Sequence, residues 1–216
     1  AFCNKCKTFQ LVNQPDPTQM FNESYAFFSG TSEYMDKHFQ GFANSVLSYL
    51  EDDPFIIEIG SNDGIMLKNY AEKNIKHLGI EPSANVAKVA RSKGVNTIVE
   101  FFNKDLGKKI AKEYGKASAF TASNVMCHIP KINSILEGIE ILLKKDGLII
   151  FEDPYLGEVI EKTTYDQIYD EHTFLFSVNS VKNLFQRHDM ELIDLIPQDT
   201  HGGSMRYIIC RKNTRP

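Results

Sequence analysis

The run Glu58-Ile59-Gly60-Ser61-Asn62-Asp63-Gly64 closes a short apolar stretch and carries two glycines four residues apart. Gly60 and Gly64 permit positive φ and a close backbone approach. The spacing is not the G-x-G-x-x-G of a pyrophosphate turn, and the acids Glu58 and Asp63 would repel a diphosphate. They suit a ligand with a cationic amino-acid end, and S-adenosylmethionine carries both an ammonium and a sulfonium. A second acid, Glu81, stands 21 residues after Gly60 at the end of the next apolar run, where a carboxylate can accept both ribose hydroxyls. Three further segments hold proton-transfer residues: 124–130 with Cys127 and His128, 169–172 (Tyr-Asp-Glu-His), and 201–206 (His-Gly-Gly-Ser-Met-Arg). Histidine and tyrosine can take a proton from carbon and hold the oxyanion that results.

The surrounding sequence supplies the elements to position these groups. Met35, Phe39, Phe42, Val46 and Leu50 fall at steps of four, three, four and four, which predicts an amphipathic helix over 34–50. Residues 55–59 read as a buried parallel strand, with a helix directly after the glycine turn. The alternation recurs: strands near 77–81, 97–99 and 117–122, with helices carrying Val86, Val89 and Ala90, then Leu106, Ile110 and Ala111. A helix carrying Ile132, Ile135, Leu136, Ile139, Leu142 and Leu143 ends at the turn 144–147, and 148–151 is a strand. Beyond Pro154 a helix with Val181, Leu184 and Phe185 leads to strands at 192–196 and 207–210. The expectation is an α/β fold with a doubly wound, mostly parallel sheet and an antiparallel edge pair. Ligands of such sheets lie beyond the carboxyl ends of the strands. Residues 1–33, without a sustained period, form an N-terminal segment, and 34–216 the main domain.

E-x-G-x-x-x-G after a first strand, with an acid after the second, resembles the class I S-adenosylmethionine-dependent methyltransferase fold. A NAD-type Rossmann domain, or a glycine turn without ligand, is the alternative. By that resemblance Glu58, Gly60, Asn62, Asp63, Gly64 and Glu81 hold the cofactor. Phe101, Phe102 and Asn103 flank its adenine, and Ser123, Asn124 and Val125 line the methyl-donor pocket; Phe101 and Phe102 could equally be core. The motifs EIGSNDG, YDEH and HGGS, in that order, together with segment 25–32, resemble the sugar C-methyltransferase family acting on nucleotide-linked 4-keto-deoxy sugars, typically at C3. The resemblance runs over nearly all 216 residues. It implies His172 as the base at C3 and Glu171 as its orienter or a sugar ligand. It also implies Tyr169 and His128 at the 4-keto oxygen, and Tyr25 in an aromatic stretch closing over the sugar. Another O- or N-methyltransferase, or a non-catalytic nucleotide-sugar binding module, remains open.

Composition bounds the rest. A net charge of −4 gives no field for a phosphate backbone, so no nucleic-acid partner is expected. No apolar run reaches the roughly 18 residues of a membrane span. Four scattered cysteines do not make a disulfide scaffold and fit a reducing, cytoplasmic setting; a monomer is expected. Members of the resembled family carry two C-x-x-C pairs and a further C-terminal domain. Here only Cys3 and Cys6 form such a pair, so they read as half of a structural zinc site or as two free thiols, and the chain as a cut-down catalytic middle.

Overall fold

The structure, a computed structural model, describes residues 1–215. In chain order the strands are β1 (Phe9–Gln10), β2 (Ile56–Ile59), β3 (His77–Ile80), β4 (Thr97–Ile98), β5 (Ala117–Ser123), β6 (Leu143–Pro154), β7 (Phe174–Leu175), β8 (Met190–Gln198) and β9 (Ser204–Arg211). The α-helices are α1 (Pro17–Met20), α2 (Glu33–Ser48), α3 (Lys68–Ala71), α4 (Ala84–Ser92), α5 (Lys104–Tyr114), α6 (Ile132–Leu142), α7 (Leu156–Lys162) and α8 (Val178–Gln186). Seven strands form one sheet in the order β4-β3-β2-β5-β6-β9-β8. The first five run parallel, and β9 is antiparallel to both β6 and β8. Strand order reverses between β2 and β5, so the crevice beyond their carboxyl ends is the natural ligand position.

Alternation along β2 divides the core. Ile56 faces a layer with Phe42, Val46, Tyr70 and Ile208, whereas Ile57 and Ile59 face Ile110, Ile135, Leu136, Ile139 and Phe151 on the other side. The period-3.6 stripe of α2 buries Phe39, Phe42, Ala43 and Val46, and Ser32 caps its first turn by accepting from Met35 N.

Three expectations change. The segment after the glycine turn is helical only over α3; residues 65–67 are held by tight i→i+3 bonds such as Tyr70 N to Leu67 O at 3.0 Å. Residues 144–147 are not a separate turn but the start of β6, which absorbs them through a register irregularity opposite Ala117 and Ala119. The N-terminal segment is not irregular throughout: β1 pairs antiparallel with β7 (Phe9 opposite Leu175), and α1 is capped by the Asp16 side chain on Thr18 N.

Candidate active site

A cavity of about 200 Å³ opens at the carboxyl ends of β2, β3 and β5. Gly60, Asn62, Glu81, Ser123, Asn124, Tyr25 and His128 all line it, joined by the apolar Ile80, Pro82, Phe101, Phe102 and Ile135. Phe102 also packs on Phe120 at 5.1 Å between ring centroids, so it serves both core and cavity. Gly60 has φ +59°, and a β-carbon there would sit 2.4 Å from Val125 Cγ2; backbone alone fits that bend. Glu81 accepts from Asn62 N at 2.9 Å and Ser83 N at 2.8 Å, which orients its carboxylate at the cavity wall while lone pairs remain for hydroxyl donors. Burial raises its pKa, against the pull of those two backbone bonds.

The remaining residues expected at the cofactor stand behind the cavity wall. Glu58 is buried beneath the glycine loop with Oε2 unpartnered, and burial, then Glu81 and Asp63, pushes its pKa well up. Gly64 packs its turn against Ala90 and Val95. Asn103 is consumed as the N-cap of α5, accepting from Asp105 N and Leu106 N. Asp63 holds Gly30 N at 3.0 Å and Lys93 Nζ at 3.1 Å. None of these four lines the cavity.

Asp63 and Asn62 also fasten the N-terminal segment across the site. Asn62 accepts from Ser29 N (3.0 Å) and donates to Phe27 O (3.1 Å), and Asn85 donates to Tyr25 O (2.7 Å). Phe21 stacks on His128 with centroids 5.6 Å apart and also meets Tyr25 at 5.4 Å. Residues 21–31 thus form a strap over the cavity, anchored on the loop that bends around Gly60.

His172 and Tyr169 lie just outside this cavity and reach it through His128, whose ring is 5.1 Å from that of His172. Nδ1–H of His172 donates to Gln167 O at 2.7 Å, so Nε2 keeps the lone pair, and the Tyr169 hydroxyl donates to it at 3.1 Å. Burial lowers the pKa of His172, and His201 adds to this. Burial likewise brings His128 down to about 3, with further contributions from His172 and His201. Both rings are neutral at neutral pH. Burial raises Tyr169 to about 12 and also raises Glu171. The loop bearing His128 is held from below by Asp153, 1% exposed, which accepts from Val125 N and Cys127 N, each at 3.0 Å.

Sequence reasoning missed a buried ion cluster under the site. Glu152 at the end of β6 pairs with Arg206 (2.8 and 3.0 Å) and with His38 of α2; the two ionic partners are 2% and 5% exposed. Arg206 also lies 3.9 Å over the Phe42 ring. Burial alone would raise Glu152, but His38 and Arg206 outweigh it and the pKa is lowered. One available signal was His38 itself, a polar residue three positions from Met35 and four from Phe42 on an apolar stripe. His201, in the third of the segments singled out for proton transfer, lines the cavity at φ +51°. Cys3 and Cys6 share a tight turn, and bonds from Cys6 lower the pKa of Cys3; among the described residues no third ligating side chain joins them.

Residues 32–195 match the methyltransferase domain family. The chain belongs to that family. C-methyltransferase NovU of Streptomyces niveus is 31% identical over 205 residues, covering 94% of this chain and 49% of that protein; the chain therefore spans about half the length of that curated relative. In shape it is similar to magnesium protoporphyrin IX methyltransferase of Synechocystis PCC 6803 with bound SAH (TM-score 0.61, 13% identity, 84% of this chain and 89% of that one). It is also similar to the PH0226 protein of Pyrococcus horikoshii (TM-score 0.67, 13% identity, 86% and 95%). The chain is a methyltransferase domain with the class I fold, and the group that such a domain implies is S-adenosylmethionine. The chemistry of the cavity fits that group: an apolar cleft for a base, Glu81 for ribose hydroxyls, and bare backbone at Gly60. Among the described residues no helix is long and apolar enough to cross a membrane.

Proposed function

We propose that this domain methylates a carbon beside a ketone, on a 4-keto-deoxy sugar carried by a nucleoside diphosphate, at C3. The observation that carries the reading is the Tyr169–His172 pair: a neutral imidazole with its Nε2 lone pair fixed by the Gln167 carbonyl, and a phenol on that same nitrogen. Transfer to oxygen or nitrogen can use a lone pair already present, whereas carbon needs a base to make an enolate and a donor to hold its oxyanion. The description of the NovU relative as a C-methyltransferase supports carbon as the acceptor.

S-adenosylmethionine, held by Gly60, Asn62, Glu81, Ser123 and Asn124 with Phe101 and Phe102 at its adenine, supplies an electrophilic methyl group on a cationic sulfur. His172 Nε2 takes the C3 proton after the Tyr169 hydroxyl swings from that nitrogen to the keto oxygen. His128, neutral and unpartnered at Nε2, adds a second polar contact to the sugar, and Glu171 binds a hydroxyl or steadies His172. The strap of residues 21–31, with Tyr25 on its inner face, covers the sugar and keeps water from the enolate. The division at residue 33 is thus a division of labour, between cover and catalytic sheet.

The test is deuterium exchange at C3 of a dTDP-4-keto-6-deoxyhexose in heavy water, followed by transfer from methyl-labelled S-adenosylmethionine. The parent should exchange C3–H and place the label on carbon. His172→Asn should bind S-adenosylmethionine as before and exchange nothing. Exchange that persists in His172→Asn removes His172 as the base; label found on oxygen or nitrogen removes carbon methylation.

A further inference from the structure

Cys127, His128 and His172 each bring a ligating atom to one place, all within 4.8 Å of one another, and all three side chains are buried. Two features distinguish this from a chance cluster. His128 Nε2 has no hydrogen-bond partner although the residue is only 7% exposed, an orphan that normally costs free energy. His172 is already prepared as a ligand, because Nδ1–H is fixed on the Gln167 carbonyl and Nε2 presents its lone pair; metal-bound histidines show that arrangement of the second nitrogen.

We infer that Cys127 Sγ, His128 Nε2 and His172 Nε2 form a binding site for a thiophilic divalent cation of the zinc class. One sulfur and two imidazoles are the donor set that zinc prefers, with bonds of about 2.3 Å to sulfur and about 2.0 Å to nitrogen. Tetrahedral geometry then needs the three atoms to close by roughly 1 Å, within reach of side-chain rotation. The fourth position falls on the side of Tyr169, whose hydroxyl, 3.1 Å from Nε2, gives way to or joins the ion. On binding, the thiol proton leaves to solvent and the thiolate takes the metal. Without the ion, burial and then the Asp153 and Glu171 carboxyls push the Cys127 thiol well up, so it is the bound cation that stabilises the thiolate. His128 lines the cavity, so the ion enters from there. Bound metal occupies the lone pair that the proposed function needs as proton acceptor, so the ion is an inhibitor; this consequence, unlike the site itself, rests on that reading.

The experiment uses the full chain carrying Cys3→Ser and Cys6→Ser, which silences the terminal pair. Cobalt(II) is titrated and followed by absorbance. The expected result is one equivalent bound, with tetrahedral d–d bands in the visible and a thiolate-to-cobalt band in the near ultraviolet, both abolished by zinc. Cys127→Ser should lose the ultraviolet band, and His128→Asn should weaken binding by about tenfold or more. If Cys127→Ser fails to fold by circular dichroism, His128→Asn on the cavity wall carries the test. Absence of the thiolate band, or a band that survives Cys127→Ser, overturns the site. Methyl transfer measured in parallel should fall with zinc and return with chelator. Intact spectra with undiminished activity would uphold the site and overturn His172 as the proton acceptor.

Discussion

Alanine at Gly60 is the sharpest probe of how the cofactor loop is built. The residue has φ +59°, and its added β-carbon would meet Val125 at 2.4 Å (Cγ2), 3.0 Å (Cγ1) and 3.3 Å (Cβ). The left-handed conformation costs an L-residue about 1–2 kcal/mol. Val125 cannot simply retreat, since its backbone N–H is held by Asp153, so overpacking adds about 1–3 kcal/mol. The sum, about 2–5 kcal/mol, lowers Tm by about 4–20 °C in a domain of this size. Val125→Ala removes both γ-carbons and leaves only the 3.3 Å contact. The pair Gly60→Ala/Val125→Ala should therefore regain the overpacking part and keep the conformational part, a coupling of about 1–3 kcal/mol in a double-mutant cycle. Thermal melts of the four proteins, with calorimetric S-adenosylmethionine binding on each, decide it. A single variant that melts with the parent would show that Gly60 is neither strained nor crowded, and a double variant no better than the single would show that Val125 does not crowd it.

The acid limb of kcat/KM should fall below pH 6.5, because His172 must be neutral to accept a proton and burial holds its pKa under that ordinary value; a limb at or above 6.5 in a pH–rate profile would assign the titration to another group. Arg206→Met strands Glu152 in a buried setting with only His38 and the Ser123 hydroxyl beside it, so urea unfolding should show a loss of about 3–5 kcal/mol. Adding Glu152→Gln should recover part of that loss; a cost under about 1 kcal/mol for Arg206→Met alone would mean that the pair is not a structural unit.

Much of the sheet was readable because its signals are local. The stripes of α2 and α6 and the apolar run of β2 follow from nearest-neighbour spacing, and the EIGSNDG turn announced the cavity. Glu81, Asn62 and His128 line that cavity, on residue type and place in the alternation alone. Asn103 and Asp63 show the limit: Asx residues at a loop end serve a helix cap or a backbone donor as readily as a ligand, and only the three-dimensional partner decides which. The Glu152–Arg206–His38 cluster was illegible for another reason. Its members come from β6, β9 and α2, and no periodicity relates them. Segment 144–147 misled because Lys-Lys-Asp-Gly carries turn chemistry, yet the register irregularity beside β5 lets a strand absorb it.

The pairing of β1 with β7 has a consequence for how the molecule is made. Phe9 and Leu175 stand 166 positions apart, and a contact so distant in sequence pays its loop-closure entropy late. The sheet core from β2 to β6 needs nothing from the N-terminus, so it can assemble first with its crevice open to solvent. Residues 11–31, tethered at one end to the strand just after His172 and at the other to the loop of Asn62 and Asp63, then settle over it. The cover over the crevice is therefore among the last parts of this domain to reach its place.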